Sequence, residues 1–154
     1  MKPNHIVIGA WFVLGALAGI PWAANAATAA AQTRYVQECS ACHIAYPPKM
    51  LPAESWKHLL GGLNQHFGND ASLDAATTRE ISDWLMAHGG GFRNDRERPP
   101  EDRITRSAWF VRQHGEIRPT VWRRAAVHGP SNCAACHREA SDGHFSEDDV
   151  HIPK

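Results

Sequence analysis

A five-residue pattern occurs twice in this chain and uses all four of its cysteines. Residues 39–43 read Cys-Ser-Ala-Cys-His, and residues 133–137 read Cys-Ala-Ala-Cys-His. The pattern C-x-x-C-H is the attachment site of c-type haem. Its two thiols form thioethers with the porphyrin, and its histidine is held beneath the iron as the proximal ligand. We therefore expect two covalently bound haem c groups, attached and ligated by Cys39, Cys42 and His43 and by Cys133, Cys136 and His137.

Two other interpretations of paired cysteines fit this sequence less well. Two C-x-x-C pairs can bind one zinc ion, but these pairs lie much farther apart than the roughly 15–20 residues usual for such a site. Both pairs also carry a trailing histidine, which a zinc site does not require. A thioredoxin-like redox pair is expected to follow a strand and precede a helix. The repeated haem motif is the stronger signal.

The first 26 residues are typical of a secretory signal peptide. A short polar start precedes an uncharged apolar run over residues 6–20, and Ala24-Asn25-Ala26 supplies the small-x-small cleavage site. An uncleaved anchor is the alternative, although an apolar run of about 15 residues is short for a membrane span. We predict export to the periplasm, cleavage after Ala26, and a mature form that does not span the membrane.

Composition argues against other broad classes of protein. The 154-residue chain carries 16 Lys plus Arg against 16 Asp plus Glu, whereas a nucleic-acid-binding protein usually has a basic excess. Its charged and apolar fractions are those of a folded chain and not of a disordered one. A large enzyme with its own deep cleft is not expected at this length.

Helical signals alternate with breakers along the chain, and no segment has a convincing strand pattern. The expected helix N-caps are Thr33, Asp74 and Thr105. Residues 27–32 are expected to be frayed. Residues 44–52 are expected to form a loop because they contain three prolines. The predicted helices are, in order, 33–39, one starting at Pro52, 75–87, one after Thr105, and 121–126.

A stretch rich in glycine, proline and charge indicates a linker between two lobes. We predict an N-terminal haem lobe over residues 27–92, a linker over 93–103 and a C-terminal haem lobe over 104–154. The predicted fold class is all-α with much irregular structure. Each lobe is too small to bury a large core unaided, so the haem would supply part of that core.

The second axial ligand of each iron decides what a haem can do. Met50 follows His43 too closely, in a proline-rich loop, to reach the opposite haem face easily, and Met86 sits in a helix. The spare histidines are therefore better candidates. His66 and His114 each follow a helix with apolar or aromatic residues, next to a glycine-containing turn. We assign His66 to haem 1 and His114 to haem 2.

Other assignments of the distal ligands stay open at this point. The two partners can be exchanged, and His128, on a turn shortly before the second motif, is the main substitute. His58 is expected to face away from its helix's apolar stripe, and His88 ends a helix, where a cation is favourable without any metal. Two histidines lie in an acidic tail and are expected to be solvated: His144 and His151.

The chain resembles the periplasmic dihaem cytochromes c, the DHC-type family, over nearly all of its mature length. The resemblance rests on both haem motifs and on Pro47-Pro48, Leu51-Pro52, Ser55-Trp56, His66-Phe67-Gly68, Ala71-Ser72-Leu73, Arg103-Ile104-Thr105 and Trp109-Phe110 with His114. It implies a small two-lobed fold with a cytochrome-c-like N-terminal lobe and a smaller, irregular C-terminal lobe. It also implies that both haems are bis-His, with His66 and His114 as distal ligands.

The resemblance further implies an electron carrier and not an enzyme. Two nitrogen ligands leave the iron no vacant position, and the methionine ligand that raises the potential of ordinary cytochromes c is missing. The implied partners are an oxygen-binding monohaem cytochrome c and a membrane b-type cytochrome. The alternatives are a small dihaem subunit of a periplasmic reductase, and a haem enzyme or gas sensor with one open iron.

Charge is distributed unevenly along the chain. Residues 93–124 hold nine arginines against five acids, and residues 139–154 hold five acids against one lysine. The simpler interpretation is a solvated linker and tail. The functional alternative is a bipolar surface that steers redox partners.

Overall fold

The computed structural model describes residues 21–90 and 97–154, and short helices make up its regular structure. In chain order the α-helices are α1 (Pro21–Cys39), α2 (Ala53–Gly61), α3 (Ala75–His88), α4 (Ala108–Gln113) and α5 (Pro119–Trp122). Three-residue 3-10 turns connect them. Within the described residues, β pairing is limited to two isolated bridges, His66 with Asn69 and His137 with Val150. The all-α class predicted from the sequence is confirmed.

Parts of the predicted leader and linker lie outside the described residues. These parts are the apolar run at 6–20 and the linker residues 93–96. Helix α1 runs through the predicted cleavage point after Ala26. Among the residues that are described, no helix combines the length and the apolar character needed to cross a membrane.

The first helix begins well before the predicted cap. The expectations of fraying at 27–32 and of a cap at Thr33 are both wrong, because α1 is continuous from Pro21. The Thr33 hydroxyl donates to the carbonyl of Ala29, one turn back in the same helix, at 2.9 Å. Alanine has the highest helix propensity of all residues, and this alanine-rich segment also buries Ala31 in the core.

The next two helices follow their sequence signals closely. Pro52 precedes α2 as predicted. The Asp74 side chain caps α3 by accepting hydrogen bonds from the backbone N–H groups of Ala76 and Thr77, both at 3.0 Å. Helix α3 packs against both α1 and α2. The buried residues of this packing form the first hydrophobic cluster: Ala31, Tyr35, Leu51, Trp56, Leu60, Ile81, Trp84 and Leu85.

The helices of the C-terminal half differ from the prediction at their ends. Thr105 lies inside a 3-10 turn, and Ser107 caps α4 by accepting from the N–H of Phe110 at 3.3 Å. Serine and threonine are both good caps, so the sequence could not separate two hydroxyls two positions apart. Helix α5 ends at Trp122 and does not reach Ala126.

A second hydrophobic cluster joins the two halves of the chain. Met50, from the proline-rich loop, is buried with Trp109 and Phe110 of α4. Tyr46 and Ile104 pack against both this cluster and the first one. The loop at 44–52, which follows the first haem motif, therefore packs against helix α4 of the C-terminal half.

The buried carboxylate of Asp102 fixes residues 97–103, the part of the predicted linker that the structure describes. Asp102 is 2% exposed and accepts hydrogen bonds from Arg98 Nε at 2.9 Å and Nη2 at 2.7 Å. It also lies 2.6 Å from Nδ1 of His58 on α2. Burial raises the pKa of Asp102, but hydrogen bonds, first of all from Arg98, outweigh it and hold that pKa below its usual range. This part of the linker is thus anchored to α2, not simply solvated.

We expect Asp102→Asn to destabilise the protein by about 1.5 kcal/mol, because it weakens charge-assisted hydrogen bonds to a buried acceptor. Glu101→Gln is the matched control, since Glu101 pairs with Arg103 and Arg106 on the surface, where such pairs contribute about 0–1 kcal/mol. Urea unfolding at neutral pH measures both losses. Equal losses for the two variants would contradict the anchoring role of Asp102.

The effect of Asp102→Asn is also expected to depend on pH. The folded-state pKa of Asp102 lies below the value of the unfolded chain. Its contribution to stability is therefore present above the unfolded pKa and is lost as the pH falls through the folded one. We expect the stability difference between Asp102→Asn and the unmodified protein to shrink in acid.

Candidate functional site

The first C-x-x-C-H motif places its histidine opposite His66. Cys39 is the last residue of α1, so the motif begins where the helix ends. His66 follows the 3-10 turn Leu63–Gln65. The ring centroids of His43 and His66 are 6.1 Å apart, and their planes differ by 27°.

The second motif places its histidine opposite His114. Residues Cys133–Ala135 form a 3-10 turn, and His137 follows it with its N–H donating to the Cys133 carbonyl at 2.8 Å. His114 directly follows α4. The ring centroids of His114 and His137 are 6.2 Å apart, and their planes differ by 77°.

Both separations are those of two imidazoles on opposite sides of one metal ion. A metal–imidazole nitrogen bond is about 2 Å long and the nitrogen lies about 1 Å from the ring centre, so such rings have centroids about 6 Å apart. The structure brings together the same two pairs that the sequence analysis assigned, and not the exchanged ones. His128, the substitute, is exposed at a turn with a φ of 60°.

One histidine of each pair is oriented by a backbone carbonyl. Nδ1 of His43 lies 2.6 Å from the carbonyl oxygen of Ile44, and Nδ1 of His114 lies 3.0 Å from that of Phe110. A carbonyl can only accept, so Nδ1 carries the proton in both rings. The free lone pair then lies on Nε2, and Nε2 is the atom that a metal would bind.

The other histidine of each pair has no such carbonyl partner. Among the described residues, the buried Nδ1 atoms of His66 and His137 have no hydrogen-bond partner. Burial lowers the pKa of His66, and His43 and Arg103 lower it further. Burial also lowers the pKa of His137, with a further effect from His114. A neutral imidazole is the form that ligates a metal. The lowered pKa values therefore favour the metal-binding form of His66 and His137.

An aromatic ring packs against each of the four histidines of the two pairs and gives it an apolar neighbour. The ring contacts, as centroid distances, are Tyr46 to His43 at 4.8 Å, Phe67 to His66 at 4.8 Å, Phe110 to His114 at 4.0 Å and Phe145 to His137 at 5.4 Å.

The four cysteines are free thiols and form no disulfide. Burial raises the pKa of Cys39 and of Cys133 to about 11, and a reactive redox pair would need a lowered thiol pKa instead. Within residues 21–90 and 97–154, no cluster of three or more His, Cys, Asp or Glu is placed to hold a metal ion. The two C-x-x-C pairs therefore do not converge on a shared zinc site.

Three other histidines have side-chain hydrogen-bond partners that belong to neither pair. The side chain of His58 is 68% exposed, in agreement with the prediction. The contacts are His58 to Asp102 at 2.6 Å, His88 to the Trp84 carbonyl at 2.7 Å and His144 to Glu139 at 3.1 Å.

The C-terminal tail holds the second motif in place, which the sequence analysis missed. The N–H of His151 donates to the Cys136 carbonyl at 2.9 Å. Arg124 Nη1 donates to the Pro153 carbonyl at 2.6 Å. His144 and His151 are both exposed, as expected, but the last residues of the tail are also hydrogen-bonded to the rest of the C-terminal half. An irregular segment that docks through single hydrogen bonds has no periodicity by which a sequence could reveal it.

Comparison with known proteins is consistent with this geometry. A family model described as dihaem cytochrome c matches residues 35–145. The chain is similar to the crystal structure of a dihaem cytochrome type c from Shewanella baltica OS155, with 36% identity, a TM-score of 0.70, and coverage of 80% of this chain and 94% of that one. It is also similar to DHC from Rhodobacter sphaeroides, with 42% identity, a TM-score of 0.63, and coverage of 73% and 96%. No curated protein matches the chain.

Proposed function

Because the chain belongs to the dihaem cytochrome c family, we propose that it is a periplasmic, low-potential electron carrier with two bis-His haems. Family membership supports a haem-based electron-carrier role and two covalently attached haem c groups. The observation that carries the finer proposal is the separation of the two histidine pairs, 6.1 and 6.2 Å between ring centroids.

The proposed site residues follow the two motifs. Haem 1 would be attached to Cys39 and Cys42, with His43 and His66 as axial ligands. Haem 2 would be attached to Cys133 and Cys136, with His137 and His114 as axial ligands. A bound haem supplies the redox-active iron, while the protein supplies ligands, burial and docking surface.

Ligation by two imidazoles favours electron transfer over substrate chemistry. With both axial positions filled, the site offers no place for a substrate or a gas to bind. A methionine ligand would raise the potential, but Met50 is buried in the second cluster and Met86 lies on α3. These positions support a low potential for both haems.

A potentiometric titration followed by absorption spectra tests this proposal. We expect two reversible one-electron steps, both below the midpoint of a His/Met cytochrome c titrated under the same conditions. A step at or above that reference would contradict bis-His ligation at one site. Carbon monoxide added to the reduced protein should leave the spectrum unchanged, whereas a rapid change would favour a haem enzyme or gas sensor.

The proposed partners are an oxygen-binding monohaem cytochrome c and a membrane b-type cytochrome. Charge supports docking of charged partners, because residues 112–124 hold four arginines against one acid and residues 139–149 hold five acids and no Lys or Arg. Electron transfer to such a partner should slow as ionic strength rises, since salt screens steering. Co-purification with a large catalytic subunit would instead favour a role as a reductase subunit.

The two sites are expected to give different electron paramagnetic resonance signals when oxidised. Near-parallel imidazole planes, at 27° in the first pair, separate the energies of the iron dπ orbitals and give a rhombic low-spin signal. Near-perpendicular planes, at 77° in the second pair, leave these orbitals nearly equal in energy and give a broad, strongly anisotropic signal. Two identical rhombic signals would contradict the difference between the pairs.

A further inference from the structure

Tyr46 contacts the first histidine pair and the segment that leads into the second haem motif. Its ring stacks on His43, with centroids 4.8 Å apart and planes 25° apart. Its hydroxyl donates to the carbonyl of Ser131, 85 residues away in the sequence, at 2.8 Å. Ser131 is two residues before Cys133. One side chain thus contacts a proposed ligand of haem 1 with its ring and the attachment segment of haem 2 with its hydroxyl.

The backbone around Tyr46 is restrained by its neighbours in the N-terminal half. Tyr35, which is 3% exposed, donates its hydroxyl to the Tyr46 carbonyl at 2.7 Å. Pro47 restricts the preceding residue to extended conformations. Tyr46 is therefore held in place independently of its own side-chain contacts.

The hydroxyl of Tyr46 can remain the donor to the Ser131 carbonyl after haem has been attached to Cys133. A phenol hydroxyl is a hydrogen-bond donor at neutral pH, and that of Tyr46 lies 2.8 Å from the Ser131 carbonyl oxygen. The Cys133 thiol also points at the Ser131 carbonyl, at 3.8 Å. Thioether formation would remove that thiol proton and leave Tyr46 as the donor.

We propose that Tyr46 is a positioning residue that couples the two haem sites and sets the rate at which they exchange an electron. This inference rests on the proposed function. Electron tunnelling weakens steeply with distance and is stronger through covalent and hydrogen bonds than across gaps. From His43 the connection to the segment holding Cys133 needs one ring contact and one hydrogen bond. One iron is oxidised as the other is reduced, and Tyr46 itself gains or loses neither electron nor proton.

Variants of the two tyrosines test this role in the full dihaem protein. Tyr46→Phe keeps the ring against His43 and removes only the hydrogen bond to Ser131, whereas Tyr46→Leu removes both contacts. Tyr35→Phe is the comparison variant, because it removes the hydrogen bond that holds the Tyr46 backbone and leaves the bond from Tyr46 to Ser131 in place. The exchange rate between the haems is measured from the haem methyl NMR signals of half-reduced protein. We expect a several-fold slowing in Tyr46→Phe, a larger one in Tyr46→Leu and a smaller one in Tyr35→Phe.

The outcomes separate this inference from a general loss of structure. An unchanged exchange rate in Tyr46→Phe overturns it, and so does an equal slowing in Tyr35→Phe, which would indicate a merely structural effect. If Tyr46→Leu fails to assemble both haems, Tyr46→Phe alone decides, since it preserves the packing. Failure of the unmodified protein to take up two electrons reversibly would refute the proposed function instead.

Discussion

Replacing His66 with alanine is expected to convert haem 1 from low-spin to high-spin iron while haem 2 stays low-spin. His66 faces His43 at 6.1 Å between ring centroids, so its removal would leave that iron five-coordinate or bound to water. The absorption spectrum of the oxidised variant should become partly high-spin, and the reduced variant should bind carbon monoxide at one haem.

His58→Ala is the matched control for this variant. His58 lies on α2 and has an exposed side chain that contacts Asp102, so its removal should leave both haems low-spin. A fully low-spin spectrum in His66→Ala would mean that another side chain ligates haem 1. In that case His58 and His128 would be the first residues to test.

His114→Ala is expected to open haem 2 and to cost more stability than His66→Ala. A metal–ligand bond that forms only in the native state contributes to the free energy of folding. The C-terminal half depends more on this bond because its helices are short and it buries less apolar area to offset chain entropy. Its buried hydrophobic residues are Trp109, Phe110, Val121, Val127 and Ala140.

Thermal unfolding of the two oxidised variants, followed in the Soret band and by far-ultraviolet dichroism, measures the difference. We expect the melting temperature of His114→Ala to lie at least about 4 °C below that of His66→Ala, which corresponds to roughly 1 kcal/mol in a domain of this size. Equal losses, or a larger loss for His66→Ala, would contradict the view that haem 2 is the main support of the C-terminal half.

Local signals in the sequence predicted much of the fold. The Asp74 cap and the helix after Pro52 depend on residues within one turn of each other, and both lie where expected. The cap of α4 was predicted at Thr105 and lies at Ser107. Both side chains can cap a helix, and tertiary packing determines which of them does so.

Contacts between distant residues could not be predicted in this way. The exposure of His58 followed from helical periodicity, but its buried partner Asp102 is 44 residues away. The docking of the tail on the second motif and the bond from Tyr46 to Ser131 depend in the same way on how the two halves pack. The haem motifs predicted His43 and His137 as ligands, and the turns after apolar helices favoured His66 and His114, but the folded geometry is what brings each pair together.

Near-infrared magnetic circular dichroism of the oxidised protein tests most directly whether two histidines bind each iron. The position of the low-spin charge-transfer band identifies the axial ligands, and its intensity counts the haems that have them. We predict a single bis-His band with the intensity of two haems per chain and no high-spin band. A methionine–iron band, or a high-spin band equal to one haem, would contradict the ligand pairs His43 with His66 and His114 with His137.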